Sequence, residues 1–431
     1  MRALHKSILV FAALLPIVSY AQSPSAGSSQ AQAGTTKEHP ITGSAAFADW
    51  SEQKPGIFRK ITVADLPKPH ATESVDNGPE MTARPKDAWP QAPAGFKVEV
   101  WAEGMPGARS MALGDKGTVF VGTRQLKEVY AVRESGGKRE AKVLLKGLDA
   151  PNGVVFSKGT LYIAERGRIT RYDGIEDRLD NPPEAKAIVD GLDPDKQPGH
   201  FWKFLAMGPD GKLYYNVGAP GNIVMPGYFQ ATISRVDPNT GIIETVASGV
   251  RNSVGMDFHP KTKELWFTNH ARDWLGDDSP NDTLHRVSRK GMHFGYPYCH
   301  QGDTPDPEFG KNRSCKEFDA PTLKLGAHIA PIGMRFYNGK MFPAEYQGNI
   351  FIAMRGSWNR TVKQGYNVMR VVLDDKGKVT KYEPFLTGFI LDEKADPPMW
   401  GRPNDVMVMK DGSMLVADDQ NGILYRVSYG K

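Results

Sequence analysis

Short segments in which apolar and polar residues alternate fill the chain after residue 95, and turns rich in Gly, Asp and Lys separate them. The segments are enriched in β-branched and aromatic residues and show no sustained helical periodicity, so the pattern predicts β-strands. A unit of an apolar segment, a turn, a strand, a second turn and another strand recurs six times. The copies span residues 111–132, 153–172, 206–236, 255–287, 333–371 and 406–427.

The spacing of these copies predicts the architecture. The turn glycines Gly117, Gly159 and Gly211 are 42 and 52 residues apart, which is typical of a four-stranded propeller blade. We therefore predict an all-β fold, a six-bladed β-propeller with four-stranded antiparallel blades; an array of β-sandwiches is the alternative. Residues 96–101 precede the first copy and can pair with the last blade, which would close the ring. Residues 288–332 are interpreted as a long connection between blades four and five.

The first 93 residues have a different composition. Arg2 and Lys6 precede an apolar run from Ile8 to Val18 and a small-residue cleavage pattern, which predicts a signal peptide over residues 1–21. The run is shorter than the ~20 residues that span a bilayer, so an uncleaved anchor is the less favoured alternative and no stable membrane insertion is expected. We predict a flexible leader over 22–48, a Pro-rich strap over 49–93 and the propeller over 94–431, in a periplasmic or secreted protein.

Charge and cysteine content exclude some partners and cofactors. The chain has 54 basic and 49 acidic residues without a basic cluster, so nucleic acid is not an expected partner. Cys299 and Cys315 are the only cysteines, and we predict that they form one disulfide that closes a surface loop in the long connection; two unrelated free thiols are the alternative. The sequence contains no Cys-x-x-Cys-His motif, so the chain carries no covalently attached c-type haem.

Polar residues just outside the strand segments are the candidates for a site, because loops at one end of a propeller converge on its channel. His200 stands where the chain enters the third blade, although a purely structural histidine is the alternative. Arg251 and Asn252 hold the corresponding position in the fourth blade. A guanidinium suits a planar anion or a carbonyl, because its donors are fixed and its charge is permanent. Further arginines at similar positions would form a ring that selects an anionic ligand; they are Arg109, Arg124, Arg355 and Arg402.

These positions carry a family resemblance over residues 95–428. The chain resembles the glucose/sorbosone dehydrogenase family, which comprises quinoprotein propellers that oxidise aldoses, sorbosone and pyranoses. The matching elements, in order, are His200 with Gly-Pro-Asp-Gly, Gly-x-Arg251-Asn252, Asn269 to Asp282, Gly291-x-x-Phe-Gly-Tyr-Pro, Ala330-Pro331, Gly356-Ser-Trp-Asn-Arg360, and Arg402-Pro-x-Asp405 followed by Asp418-Asp419.

The resemblance implies a mechanism and a cofactor. His200 would be the general base for a substrate hydroxyl, and Arg251 would polarise the quinone carbonyl. The cofactor would be pyrroloquinoline quinone, a tricarboxylate, and the residues implied to bind it are Asn152, Asn252, Arg355, Arg402 and Asn404. The substrate would be an aldose, a sorbosone-like sugar or a related aldehyde. A separate electron acceptor, either a cytochrome or a quinone, would reoxidise the enzyme.

Calcium is the second implied cofactor. Residues 269–282 form an oxygen-rich loop with four Asp residues, although its spacing does not match an EF-hand. The resemblance places the ion on backbone carbonyls near Ala271 and Arg272, and Asp282 belongs to the same loop.

The chain also departs from the glucose dehydrogenase branch. That branch has an acid that orients the catalytic histidine where this chain has Ala219, Lys in place of Arg355, and Arg in place of Asn404. His200 must therefore find another orienting group. Two other functions remain open from the sequence: a calcium-dependent sugar lactonase, which needs no redox cofactor, and a non-catalytic interaction scaffold.

Overall fold

The computed structural model describes residues 39–47, 55–62, 65, 68–124, 126–193, 196, 198–391 and 399–430. The predicted signal peptide and residues 22–38 of the predicted leader lie outside the described residues. Among the described residues, strands predominate. In chain order they are β1 (Phe96–Ala102), β2 (Ala108–Leu113), β3 (Val119–Thr123), β4 (Val129–Ser135), β5 (Lys138–Leu145), β6 (Gly153–Ser157), β7 (Thr160–Ala164), β8 (Ile169–Asp173), β9 (Lys186–Val189), β10 (Leu205–Met207), β11 (Leu213–Val217), β12 (Thr232–Val236), β13 (Ile243–Ser248), β14 (Met256–Phe258), β15 (Leu265–Asn269), β16 (Asn281–Val287), β17 (Met292–His293), β18 (Cys299–His300), β19 (Thr304–Pro305), β20 (Leu323–Ala327), β21 (Pro331–Phe336), β22 (Ile350–Met354), β23 (Asn367–Leu373), β24 (Val379–Leu386), β25 (Pro403–Val408), β26 (Met414–Asp418) and β27 (Ile423–Tyr429).

Short 3₁₀ turns are the helical elements of the described part of the chain. They cover Gly43–Phe47, Ile175–Asp177, Cys315–Glu317 and Ala344–Tyr346. No helix among these residues has the length and apolar character needed to cross a membrane.

The strands form six antiparallel blades within the described residues, which confirms the predicted fold class. Blades one and two contain β2–β5 and β6–β9, and blade three contains β10–β13 with the short β17 added in parallel. Blade four contains β14, β15, β16 and β20, and blade five contains β21–β24. Blade six contains β25–β27 and takes its outer strand, β1, from the start of the domain.

The ring closes through β1 and β27, as the sequence predicts. Phe96 pairs with Tyr429 and Val98 pairs with Val427 in an antiparallel ladder. The Phe96 ring also packs edge-to-face on Phe385, with ring centroids 5.1 Å apart. Because β1 covers what would be the free edge of blade six, the two ends of the domain stabilise each other.

The hydrophobic core is divided among the interfaces between blades. The described residues contain one large apolar cluster between each pair of adjacent blades, including the pair that closes the ring. The cluster between blades five and six contains Phe351 and Tyr425, both fully buried. Apolar packing between blades, which is the dominant stabilising contribution, therefore holds the loops of the channel in a fixed arrangement.

The long excursion after β16 is placed differently from the prediction. Residues 288–332 do not simply connect blades four and five, because Leu323–Ala327 within this segment forms β20, the outer strand of blade four. The excursion therefore lies inside blade four, between its third and fourth strands. It also reaches blade three, where Met292 and His293 pair with Ala247 and Ser248.

The described part of the predicted strap runs along the propeller. The backbone N–H of His70 donates to the carbonyl of Leu275 at 2.7 Å, and that of Asn77 donates to Trp358 at 2.7 Å. Gln91 and Thr387 bond to each other through both backbone groups. These bonds tie residues 70–91 to loops of blades four and five.

Candidate active site

The predicted site residues lie at one end of the propeller. Each blade begins its first strand at this end, and the second strand returns to it because consecutive strands are antiparallel. His200 lies five residues before β10, and Arg251 and Asn252 lie shortly before β14. Arg402 immediately precedes β25, and Arg355 immediately follows β22. The fold therefore brings these side chains to the same mouth of the channel.

The imidazole of His200 is held by the backbone of blade three. Its Nδ1 lies 3.0 Å from the carbonyl oxygen of Ala219, and its backbone N–H donates to the same oxygen at 3.1 Å. Because a carbonyl only accepts hydrogen bonds, Nδ1 carries the proton of the neutral ring and Nε2 keeps its lone pair. Burial lowers the pKa of His200 well below its ordinary value, and the charge of Arg251 lowers it further. His200 is therefore neutral at pH 7 and can accept a proton at Nε2.

Two glycines permit this close approach. A Cβ atom on Gly218 would lie 2.5 Å from the Cβ of His200. A Cβ atom on Gly199 would lie 2.3 Å from the carbonyl carbon of Pro220. Both distances are far shorter than a van der Waals contact between carbon atoms, so a side chain at either position would push the loops apart. The bond between His200 and Ala219 depends on this absence of side chains.

Arg251 is locked by residues of two loops. Its Nε donates to the carbonyl oxygen of Asn222 at 2.8 Å, and Nη2 donates to the side-chain oxygen of the same residue at 2.8 Å. Nη2 also pairs with the carboxylate of Asp273 at 2.8 Å. Asn222 in turn accepts the backbone N–H of Asp273 at 2.8 Å. The guanidinium is therefore fixed in orientation, which is what electrostatic stabilisation of a developing negative charge requires.

His270 also belongs to this site, although the sequence analysis did not single it out. Its Nε2 donates to the carbonyl of Pro331 at 2.9 Å, so its Nδ1 can accept from the amide of Asn252 at 3.2 Å. Burial lowers the pKa of His270 to about 4, and Arg251 contributes to the shift. A neutral His270 therefore orients Asn252, and no periodicity or spacing in the sequence marks that role.

The predicted arginines form a cluster around one carboxylate. Asp419 accepts from Nε and Nη2 of Arg109 at 3.3 and 3.2 Å and from Nε of Arg355 at 3.0 Å. Arg402 donates instead to the backbone carbonyl of Arg355 at 3.1 Å. The guanidinium of Arg124 lies 4.6 Å from the ring centroid of Trp202. The cluster is defined as Arg109, Arg124, Arg355 and Arg402.

This arginine cluster carries more positive charge than its protein partners neutralise. Burial lowers the pKa of Arg402 to about 10, and the charge of Arg355 adds to the effect. Burial alone would raise the pKa of Asp419, but Arg355 and Arg109 hold it at about 2. Among the described side chains, Asp419 is the carboxylate that contacts the cluster, against four guanidinium groups. Burying unbalanced charge is unfavourable, and Arg109 and Arg402 are buried, so the cluster favours an anionic ligand.

Three asparagines of the site have a buried side-chain oxygen that receives no hydrogen bond from the described residues. The other amide atom is engaged in each case: Asn152 donates to Lys203, Asn404 donates to Arg402, and Asn252 contacts His270. A buried acceptor without a donor is unfavourable, so these positions fit a ligand that brings an N–H group, a water or a cation. The residues concerned are Asn152, Asn252 and Asn404.

The loop implied in calcium binding is held by Asp282. One carboxylate oxygen accepts the backbone N–H of Ala271 at 2.8 Å and the other accepts that of Ala330 at 2.9 Å. Burial raises the pKa of Asp282 to about 7. The side chain of Arg272 turns away to Asp306, at 2.6 Å. Among the described residues, no hydrogen-bond donor occupies the backbone carbonyls of Ala271 and Arg272, and no cluster of three His, Cys, Asp or Glu side chains suits a metal ion.

The excursion inside blade four supports residues 219–224, the loop that contacts His200 and Arg251. Cys299 and Cys315 are joined in a disulfide with Cα atoms 5.5 Å apart. Tyr296, three residues before this bridge, is buried beside Ala219. Its hydroxyl accepts the backbone N–H of Val224 at 2.9 Å and donates to the Val224 carbonyl at 3.1 Å. The excursion therefore braces the loop that holds both His200 and Arg251.

The chain matches a known protein family over most of its length. The family model described as TrAA12-like matches residues 90–430. The chain belongs to this TrAA12-like family. A relative in Borreliella burgdorferi, described only as an uncharacterized protein, is 31% identical over 352 residues and covers 79% of this chain and 91% of that protein. The resemblance to quinoprotein sugar dehydrogenases that the motifs indicate is thereby confirmed at the level of the family.

Named relatives of this TrAA12-like protein are more distant. The pyrroloquinoline quinone-dependent pyranose dehydrogenase of Coprinopsis cinerea is 23% identical over 330 residues, 64% of this chain and 44% of that protein. The chain thus spans less than half of that enzyme. Among solved structures, the family AA12 enzyme of Trichoderma reesei superposes with a TM-score of 0.70 at 18% identity, covering 82% of this chain and 100% of that chain. The quinone-binding domain of the Coprinopsis enzyme has a TM-score of 0.67 at 17% identity, covering 82% and 100%. These structures share the propeller fold.

Proposed function

We propose that this protein is a dehydrogenase dependent on pyrroloquinoline quinone that oxidises the C–H(OH) group of an aldose, a sorbosone-like sugar or a related sugar aldehyde. The observation that carries the proposal is a neutral histidine, oriented by a backbone carbonyl, beside a locked arginine and a cluster of arginines with excess positive charge. The family assignment and the named relatives support the same chemistry. A lactonase or a scaffold has no need of that charge.

The arginine cluster and the orphan amide oxygens fit this cofactor. Its three carboxylates would bind the guanidiniums of Arg109, Arg124, Arg355 and Arg402, because burial and mutual repulsion lower the pKa values of Arg109 and Arg402 and make a negatively charged ligand favourable there. The buried side-chain oxygens of Asn152, Asn252 and Asn404 are acceptors, so they would bind the ring N–H of the cofactor, water or the Ca²⁺ ion. When bound, the quinone accepts the two electrons that leave the substrate carbon.

His200 would remove the proton of the substrate hydroxyl. Its Nε2 is the only ring nitrogen free to accept that proton, because Nδ1 donates to Ala219. General base catalysis of this kind contributes roughly 10²–10⁴ in rate. Arg251 would stabilise negative charge that develops on oxygen near the reacting carbon, and Asn222 and Asp273 hold its guanidinium ready for it.

Calcium would bind beside the cofactor through the backbone carbonyls of Ala271 and Arg272. Asp282 holds the Ala271 end of this loop through two backbone N–H groups, one of them from Ala330. Two carbonyls supply too few ligands for Ca²⁺, which takes 6–8 oxygens, so the cofactor and water would complete the shell. The ion would add a fixed positive charge at the site.

The electrons would leave on a separate acceptor, a cytochrome or a quinone, because the chain has no haem motif. The protein would act in the periplasm or outside the cell after removal of residues 1–21.

The test is dye-linked oxidation of a panel of aldoses by the purified protein, with neither, either or both of pyrroloquinoline quinone and Ca²⁺. The proposal expects activity that requires the quinone and is strongest with both additions. Hydrolysis of sugar lactones supported by Ca²⁺ alone would assign the protein as a lactonase instead. If the protein shows neither activity and does not bind the quinone, the remaining function is a non-catalytic interaction scaffold.

A further inference from the structure

Asn359 belongs to the Gly-Ser-Trp-Asn-Arg element in the loop between β22 and β23, and the proposed mechanism gives it no task. The residue is fully buried. Its side-chain oxygen accepts the backbone N–H of Trp274 at 2.8 Å, and its side-chain N–H group donates to the backbone carbonyl of Val75 at 2.6 Å. Trp274 lies in the loop between β15 and β16, and Val75 lies in the strap. Asn359 therefore joins a loop of blade five to a loop of blade four and to the strap.

The peptide group between Asp273 and Trp274 is held at both of its polar atoms. Its N–H donates to Asn359, and its carbonyl oxygen accepts from the side-chain amide of Asn222 at 3.2 Å. The carboxylate of Asp273 pairs with Arg251 at 2.8 Å. A rotation of the peptide group would carry that carboxylate away from the guanidinium. Asn222 in blade three and Asn359 in blade five therefore set together the place from which Asp273 holds Arg251.

Trp274 needs such a constraint because its backbone is strained. Its φ angle is 70°, in the left-handed region, which is unfavourable for a residue with a Cβ atom. A conformation of this kind persists only where the surroundings fix it, and such residues cluster at functional sites. The bond from the N–H of Trp274 to Asn359 is one such constraint. Without that bond Trp274 can relax to a more favourable φ angle, and Asp273 would move with it.

The strap braces the same two loops. Its side chains Thr72 and Ser74 accept the backbone N–H groups of Asp277 and Gly276 at 2.8 and 2.9 Å. A Cβ atom on Gly276 would lie only 3.0 Å from the backbone oxygen of Thr72, so the strap and the blade-four loop are in close contact. The side chain of Asn77 donates to two backbone carbonyls of the blade-five loop at 3.1 and 2.9 Å. The strap therefore fixes the spacing of the two loops that Asn359 joins.

We infer that Asn359 is a positioning residue for Arg251, that it acts through the peptide group between Asp273 and Trp274, and that the strap is part of the active site because it holds Asn359 in place. This inference rests on the proposed function, in which Arg251 stabilises negative charge on oxygen. Asn359 is fully buried, so it acts through the loop and not on the substrate. A guanidinium that is turned out of place stabilises less of the charge that develops in the transition state, so kcat falls more than substrate binding weakens.

The experiment measures dye-linked sugar oxidation by variants of the full chain with pyrroloquinoline quinone and Ca²⁺, and thermal unfolding checks that each variant is folded. Asn359→Ala is expected to lower kcat about tenfold and to leave KM within about twofold. Asn359→Asp keeps an oxygen for the N–H of Trp274 and should recover most of the rate. Asn349→Ala is the matched control. Asn349 is 3% exposed, bonds through both amide atoms and precedes β22 at the end of blade five away from the mouth, so its loss should lower stability but not kcat.

A double-mutant cycle with Asp273→Asn separates positioning from a general loss of stability. This substitution removes the negative charge that pairs with Arg251. If Asn359 acts through Asp273, the two losses are not additive, because the second substitution disturbs a contact that the first has already weakened. Asn359→Ala should then lower kcat by less than about twofold in the Asp273→Asn background, against about tenfold in the wild-type background.

Four results would overturn the inference. They are an unchanged kcat in Asn359→Ala, an equal fall of kcat in Asn349→Ala, no recovery in Asn359→Asp, and additive losses in the cycle. If Asn359→Ala does not fold, Asn77→Ala gives the answer, because Asn77 is only half-buried and its side chain bonds to the blade-five loop. Its kcat should fall roughly threefold at an unchanged KM, and an unchanged kcat counts against the inference. Absence of wild-type activity is instead a failure of the proposed function, which is seen before any variant is compared.

Discussion

Nδ1 of His200 lies 3.0 Å from the backbone carbonyl oxygen of Ala219. Ala219 is the position at which the glucose dehydrogenase branch carries an orienting acid, so the main chain performs here the task that a side chain performs there. A neutral carbonyl fixes the tautomer but adds no negative charge to hold a proton on the ring. His200 therefore remains a weak, neutral base in a positively charged site.

The rate of the proposed reaction should depend on pH through His200. Burial and Arg251 lower the pKa of His200 below its ordinary value of 6.5. In the proposed mechanism the unprotonated ring is the active form, so activity is present above the pKa in the folded protein and is lost as the pH falls through it. We expect the acid limb of kcat/KM to lie below pH 6.5, and Arg251→Gln to move it to higher pH while lowering the rate. A wild-type limb above 6.5 would contradict this assignment.

His200→Ala tests the role of the base directly. We expect kcat to fall by roughly 10²–10⁴, because the substrate hydroxyl loses its proton acceptor. Binding of the quinone, followed by its absorbance, should change little, since the arginine cluster is intact. His39→Ala is the control, as His39 is exposed. Equal activity of the two variants would assign His200 a structural role.

Features that local sequence patterns mark could be predicted from the sequence, whereas contacts between residues far apart in the sequence could not. The six strand repeats are marked by local patterns, and the long-range pairing of β1 with β27 follows from them because a propeller ring must close on itself. The excursion was misplaced because β20, with the sequence Leu-Lys-Leu-Gly-Ala, follows a long segment without a repeat signal. Asn222 and Asp273 were missed since their contacts with Arg251 join residues 22–29 positions apart, which no spacing rule marks.

Arg402 tests the fit of the anionic cofactor. Arg402→Ala removes a charge-assisted donor and should raise the Kd of the quinone by about 10- to 100-fold. Arg402→Lys should give an intermediate value, because the charge stays while the planar fork is lost. Titration of the apo protein measures both. Arg289→Ala, which removes an exposed pair with Asp319, should leave the Kd unchanged. No effect at Arg402 would exclude the cluster as the carboxylate site.

Tyr296 is expected to be a positioning residue. Tyr296→Phe removes both bonds to the Val224 backbone and should lower kcat roughly tenfold through displacement of His200 and Arg251, with little change in KM. The acid limb of the pH profile should also shift, which loss of stability alone would not cause. Tyr130→Phe is the control, because it removes a hydroxyl that bonds to Glu128 in blade one and not to this loop. Identical profiles for the two variants would refute the role.

The disulfide should matter for stability. Cys299 and Cys315 are 16 positions apart in the sequence. Replacing both by Ser opens the loop that the disulfide closes, which should lower the free energy of unfolding by about 3 kcal/mol because the unfolded chain gains conformational freedom. The bridge restrains the segment that carries Tyr296. In the variant without the bridge, activity should therefore be lost at a lower urea concentration than the concentration that unfolds the whole domain. Chemical denaturation monitored by fluorescence and by dye-linked rate measures the two separately. Coincident curves would show that the bridge has no specific effect on the site.

Blade six combines a strand from the start of the domain with three strands from its end, so it is the last blade that can be completed during synthesis. Its outer strand is among the first parts of the domain to leave the ribosome, whereas its other three strands are the last. Arg402, Asn404 and Asp419 all belong to those last strands or their loops. The carboxylate at the centre of the arginine cluster is therefore added last, so the cluster reaches its final arrangement only after blade six has been synthesised.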